Sequence, residues 1–280
     1  MNSLKSILLC AMAVVGVQIT APAHAQLLPQ RAPTAFGIWQ GFDFQTQPAN
    51  VYERTVAQSI TIAVESMAEA DIEGLLAMVI DSAVLNVSYI PPTLKMIQSF
   101  FNHPNSPYRS ERLYVYALRR IIENPKVSDH NKISSRMRLE DILKNSVGQE
   151  ATDFEFQLKD DSKGRLYAID AEYTILFFID PDCEECASVK AQFLSNPVVA
   201  KREGVKILAL YPDGDFDLWR SVSHPQSAQW INAYDPAQRI TNELLYYLSA
   251  LPTLYLLDST KRVVLKNVYA KEILDYLSKN

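Results

Sequence analysis

The chain has 280 residues, with 27 basic against 32 acidic side chains and a formal net charge of −5. No stretch gathers Lys and Arg into a basic stripe, which argues against nucleic acid as a partner. The length exceeds one typical domain and suits two, and no internal repeat or low-complexity tract is evident.

The first residues read as an export signal. Lys5 gives the positive end, residues 7–17 an apolar core, and Ala23-His24-Ala25 the small residues of a cleavage site. The apolar stretch is too short to anchor the chain across a bilayer. Cys10 lies inside it, without the small preceding residue that a bacterial lipid-attachment site needs. The expectation is a signal peptide over residues 1–25, cleaved near Ala25 and Gln26, and a periplasmic mature protein that does not span the membrane.

Residues 26–50 are rich in Pro, Gln and Ala and carry Phe36, Trp39, Phe42 and Phe44, an irregular arm whose aromatics dock on the adjoining helical domain. Residues 51–147 are helical in pattern: Val56, Ile60, Ala63 and Met67 recur at helical spacing, as do Leu113, Ala117 and Ile121. Pro91-Pro92, residues 102–107 and Asn124-Pro125 divide the region into four or so helices, with Ser110 and Ser128 as helix starts. The tyrosines and phenylalanines here (Tyr89, Phe100, Phe101, Tyr108, Tyr114, Tyr116) read as packing groups. Residues 26–147 therefore form a smaller, mainly helical domain with no constellation that carries chemistry.

The pattern changes over residues 148–280. Residues 154–158 alternate as a half-buried strand, 160–164 make a turn, and 165–169 a second short strand. Residues 175–179 form a continuous apolar run, as expected of a central strand buried on both faces. A helix from Cys183 to about Leu194 comes next, then a strand at 206–211, a short helix at 216–222, an edge-like strand at 230–234 and a helix at 240–249. Strands at 253–257 and 263–267 and a helix at 271–279 close the chain. This is an α/β layer fold with a mixed sheet.

The mature chain keeps two cysteines, in Cys183-Glu184-Glu185-Cys186, directly after the apolar strand and Asp180-Pro181-Asp182. Cysteines three residues apart on a first helical turn can reach disulfide geometry. A structural staple is the competing reading in an oxidising compartment, but so small a loop stabilises least in the chain-entropy picture, and the spacing suits exchange better. Zinc needs four ligands, and His103, His130 and His224 are not paired at ligand spacing; no metal site is expected, and His224 reads as a surface histidine in a polar loop. A second signal is Leu251-Pro252-Thr253, just before a strand, where proline serves a turn or an exposed edge.

Strand, C-x-x-C, helix and a later Leu-Pro-Thr together resemble the thioredoxin superfamily over residues 148–280. Gly148-Gln149-Glu150-Ala151-Thr152-Asp153-Phe154, the extra segment at 230–247 and Ala250-Leu251-Pro252-Thr253 are similar to exported thioredoxin-like proteins related to cytochrome-c-maturation reductases. Trp39-Gln40-Gly41-Phe42-Asp43-Phe44 and Glu111-Arg112-Leu113-Tyr114 resemble a domain of unknown function that precedes such folds. The resemblance implies a thioredoxin-like mixed sheet flanked by helices. It makes Cys183 the exposed nucleophile, Cys186 the buried resolving thiol and Pro252 a cis proline shaping a substrate groove. Leu251 would pair its backbone with an extended substrate segment. The implied partners are protein thiols or disulfides and an unidentified electron donor, with no cofactor beyond the Cys183–Cys186 pair.

The sequence departs from that family in three places: Phe177 replaces a buried carboxylate, Asp182 a tryptophan, and Glu184-Glu185 a Gly-Pro pair. Asp180, Asp182, Glu184 and Glu185 crowd the thiols; their like charge disfavours a thiolate and opposes the helix N-terminus, which favours one, so the disulfide gains, hence a low potential and a reductase or isomerase. Glu184 or Glu185 is a candidate proton carrier, with two solvated helix-terminus acids as the plainer reading. A peroxidase of the same superfamily needs Pro and Thr where Leu176 and Asp180 stand. The alternative from another class is a binding or scaffold protein that keeps the fold while its helical domain recruits a partner.

Overall fold

The computed structural model describes Thr34–Asn280. The expected signal peptide, Cys10 and residues 26–33 of the arm lie outside the described residues. Of the arm's aromatics, Trp39 is buried against Tyr52, stacks on Phe44 at 5.5 Å between ring centroids and meets Phe42 edge-on at 5.2 Å. Tyr52 in turn stacks on Tyr89 at 4.0 Å, and its hydroxyl reaches the Val79 carbonyl at 3.1 Å.

Five α-helices come next: α1 (Ala49–Ser66), α2 (Glu69–Ala83), α3 (Ile90–Phe101), α4 (Glu111–Glu123) and α5 (Asp129–Leu143). Pro91 and Pro92 open α3, where a missing N–H costs nothing. Ser110 and Ser128 cap α4 and α5, accepting from Leu113 N and Asn131 N. Tyr89, Phe101 and Tyr114 are buried in one apolar cluster with Val56, Ile60 and Leu75. They are packing groups.

The remainder is β1 (Glu155–Leu158), β2 (Lys163–Arg165), β3 (Tyr173–Phe178), α6 (Glu184–Ser195), α7 (Pro197–Ala200), β4 (Val205–Tyr211), α8 (Phe216–Ser221), β5 (Trp230–Tyr234), α9 (Arg239–Asn242), β6 (Thr253–Asp258), β7 (Val263–Lys266) and α10 (Ala270–Lys279). The strands form a seven-stranded sheet in the order β2-β1-β5-β4-β3-β6-β7. The pairs β3–β4 and β4–β5 are parallel, the others antiparallel. Side chains alternate along β3: Ile175 and Phe177 face a core shared with Phe193 of α6 and Ile273 of α10. Leu176 and Phe178 face a second core with Tyr246 and Tyr255.

Three expectations change. Residues 165–169 do not form a strand: β2 ends at Arg165, and Leu166–Ala168 coil into a 3-10 turn that buries Leu166. β5 is interior, because β1 folds back onto its outer side and leaves β2 and β7 as the edges. Helix α9 is a single turn, in place of a helix over 240–249. Leu244 turns to φ +49°, and the chain then sends Tyr246 inward, its hydroxyl donating to Thr152 O at 2.6 Å.

Antiparallel pairing of β3 with β6 sets Phe178 opposite Thr253. The end of the strand that leads to the cysteines and the start of the strand that follows Pro252 therefore meet at one end of the sheet. The helical half and the sheet half pack as a single unit over Thr34–Asn280.

Candidate active site

Asp180 turns the chain after β3. Its carboxylate accepts from Asp182 N at 2.9 Å and its carbonyl from Cys183 N at 3.2 Å. Cys183 then stands at the cap position of α6, and its sulfur accepts from Cys186 N at 3.1 Å, the bond a Ser or Asp oxygen ordinarily takes there. The same sulfur lies 3.6 Å from the Leu251 carbonyl, to which its thiol donates. Both cysteines are free; Cys183 is half-buried and Cys186 only 4% exposed. Burial, and then the hydrogen bond with Cys183, push the Cys186 thiol well above its ordinary value.

The Leu251–Pro252 peptide is cis. Leu251 and Pro252 line a groove of about 430 Å³ together with Glu185 and Val189 of α6 and residues 268–271. Thr253 is buried, with its hydroxyl on Ala250 O at 2.6 Å, and does not line the groove. Glu184 and Glu185 are exposed and make no hydrogen bond to either sulfur among the described residues. Phe177 is 1% exposed and packs edge-on against Phe193 and Trp230, so an apolar ring fills the space behind the pair.

The other side of the pair holds a cavity of about 50 Å³, bordered by Cys183, Cys186, Asp180, Lys190 and His224. That is room for a water or so. His224 is half-buried and not free in the loop: its ring lies 4.5 Å from Trp219, and Nε2 donates to the Trp219 carbonyl at 2.8 Å, leaving Nδ1 as the acceptor of the neutral ring. Burial lowers its pKa. Sequence reading missed this cavity, because Lys190 is one turn along α6 and His224 lies in a distant loop after α8. No local spacing joins them. Among the described residues, no group of three or more His, Cys, Asp or Glu side chains is placed to hold a metal ion.

Residues 147–266 match the AhpC/TSA family, and residues 38–145 match DUF5106, a domain of unknown function. A thioredoxin-like protein from Bacteroides caccae is 26% identical, over 95% of this chain and 100% of its own, with a TM-score of 0.75. The second half of the chain is thus similar to the AhpC/TSA family over residues 147–266 and has a thioredoxin-like fold. The C-terminal domain of an uncharacterised protein from Bacteroides fragilis is 38% identical over 48% of this chain and 99% of its own, at a TM-score of 0.46. The thioredoxin domain of a thiol-disulfide oxidoreductase from Bacteroides vulgatus is 15% identical over 48% of this chain and 96% of its own, at 0.41. No curated protein matches the chain. The thioredoxin-like domain thus carries both cysteines and Pro252, and the DUF5106 region contributes Pro104, Asn105, Pro107 and Arg109 to the far wall of the groove.

Proposed function

We propose that the protein is an exported thiol-disulfide oxidoreductase that reduces or isomerises protein disulfides through Cys183 and Cys186. The observation that carries this reading is the placement of two free thiols at the start of α6. The half-buried Cys183 sulfur sits between the Cys186 amide and the Leu251 carbonyl, and the buried Cys186 lies behind it.

In reduction, the Cys183 thiolate attacks one sulfur of a substrate disulfide, forming a mixed disulfide and releasing the other substrate sulfur as a thiol after it gains a proton. Cys186 then loses its proton and attacks Cys183. The Cys183–Cys186 disulfide forms, the second substrate thiol leaves, and two electrons have passed from the pair to the substrate. A dithiol donor must restore the pair. No metal or organic cofactor is required. Leu251 makes no other hydrogen bond among the described residues, so its N–H is available to an extended substrate segment.

Because Cys186 is buried and its thiol holds its proton tightly, the resolving step needs an acceptor. Glu184 and Glu185 offer one from the solvent side; the cavity that Cys186 borders has Asp180 and His224 in its wall. Reduction over oxidation is supported by the acidic residues around Cys183, whose like charge opposes the support that the Cys186 N–H and the start of α6 give a thiolate. Among the described residues no helix is long and apolar enough to cross a membrane, which is compatible with release after the expected signal is removed.

The test is the redox equilibrium of the pair in purified mature protein, by thiol trapping across dithiothreitol or glutathione buffers, with an insulin-reduction assay alongside. A low potential and insulin reduction are expected. A pair that never exchanges with the buffer would leave a structural staple on a binding protein.

A further inference from the structure

Beyond the cysteine pair, the groove beside Pro252 has a wall that the thioredoxin-like domain does not supply. The loop from Asn102 to Ser110, between α3 and α4 of the helical half, closes its far side. That loop is fixed to the sheet half. The Tyr269 hydroxyl donates to Ser106 O at 3.2 Å, the Asn102 amide donates to Tyr247 Oη at 2.8 Å, and Arg109 N bonds back to Ser106 O at 3.3 Å. Arg109 is half-buried, its guanidinium 4.6 Å from the centroid of the Tyr269 ring. It has no carboxylate within salt-bridge distance among the described residues, whereas Lys271, the other cation at this groove, is paired with Asp275 at 2.5 Å. Val189, Leu254 and Val268 supply apolar lining, and Glu185 stands on the α6 side.

We propose that Arg109 is a specificity residue contributed by the helical half, which receives an acidic side chain from the extended protein segment flanking the substrate's reactive cysteine. This rests on the disulfide-exchange reading above and names its substrate class: disulfides whose neighbouring segment carries an Asp or Glu beside an apolar residue. The charge arrangement orients that segment. Glu185 repels an acid at the cysteine end, and Arg109 attracts one at the far end, where its planar guanidinium can take a carboxylate in two parallel hydrogen bonds. The Tyr269 ring holds the guanidinium in place, so little freedom is lost when the acid arrives.

The experiment uses the full mature chain and a set of peptides, each joined to a fluorogenic thiol by a disulfide and identical except for Glu, Gln or Lys at successive positions on either side of the cysteine. The readout is the Glu-to-Lys ratio of kcat/KM within each protein variant. Wild type is expected to favour Glu over Lys about fivefold at one position. Arg109→Lys, which keeps the charge but not the planar fork, should keep only part of that preference, Arg109→Ala should lose it and Arg109→Glu should reverse it. Thiol trapping should show the same redox equilibrium in all four proteins, which marks the effect as recognition and the variants as folded. A wild type that reduces these peptides and hydroxyethyl disulfide with no charge preference overturns the inference and leaves the oxidoreductase reading standing. A preference that survives in Arg109→Ala also overturns it. A wild type that reduces neither peptide nor hydroxyethyl disulfide removes the oxidoreductase reading, and this inference with it.

Discussion

Cys186, on the first turn of α6, is 4% exposed in the core with Ile175 and Phe177 of β3, and burial makes its thiol hold its proton. Its folded pKa lies above that of the unfolded thiol. As pH rises past about 8.5 the unfolded chain therefore gives up this proton first. The stability tied to that thiol is fully present below this range and declines above it, towards the raised folded value. The melting temperature of the reduced protein should accordingly fall more steeply above about pH 8.5 than that of Cys186→Ala; parallel curves in a calorimeter would show that burial of the thiol does not act this way. The role proposed for it as the resolving thiol gives a second prediction. Cys186→Ser leaves Cys183 able to attack but unable to be released, so a substrate adduct should accumulate on Cys183, seen as added mass on the intact protein under non-reducing conditions. No adduct after incubation with an oxidised protein substrate would contradict the division of roles. At this scale the cysteines, Pro252 and the missing carboxylate at Phe177 were legible, because they lie in short motifs. His224 was not, since its place beside the pair depends on the packing of Trp219.

At the scale of elements, most boundaries follow from local chemistry. Ser110 and Ser128 do start helices, the 175–179 run is central, and a thiol caps α6. The segment after β5 departs most. Asp235 is 2% exposed, and its carboxylate accepts from Ala237 N at 3.2 Å and Ile240 N at 2.8 Å, fixing the turn that enters α9. Just beyond α9, Leu245 O accepts from Asn145 Nδ2 at 2.8 Å, while Tyr246 and Tyr247 reach Thr152 and Asn102. Long-range partners take the polar groups that a longer helix would have used, and local propensity loses to them. Asp235→Ala strips the buried Ile240 N–H and the part-buried Ala237 N–H of their acceptor and should destabilise the protein by about 2 kcal/mol. The urea midpoint would move down accordingly; a shift near zero would mean that water replaces the carboxylate.

Across the whole molecule, one buried ion pair joins the two halves. Lys266 at the end of β7 has its side chain 1% exposed and donates to Glu111 Oε1 at 3.1 Å and to the Ile142 carbonyl at the end of α5. Burial raises the Glu111 pKa and lowers that of Lys266, in each case against the pull of the partner charge, so desolvation outweighs attraction here. Removing one partner should therefore cost more than removing both. Lys266→Met is expected to destabilise by about 2 kcal/mol, since it strands the Glu111 carboxylate and the Ile142 carbonyl. Adding Glu111→Gln should recover part of that loss. A double variant less stable than Lys266→Met alone would show the pair to be net stabilising. The same seam holds the loop that carries Arg109 against Tyr269, and so links the helical half to the groove.

The cysteine pair, the strand that presents it, the proline at the groove and the change from helical to alternating pattern are all legible in the sequence, because each is written in residues a few positions apart. Tertiary structure decided which strand became an edge, where the helix after β5 stopped, and what surrounds the cysteines. Those depend on groups that meet only when the sheet closes: Lys190 with His224 on one side of the pair, and Leu251 with Arg109 on the other. Residues so far apart along the chain carry no shared period or spacing. Their proximity is set by antiparallel register and by buried contacts between the halves.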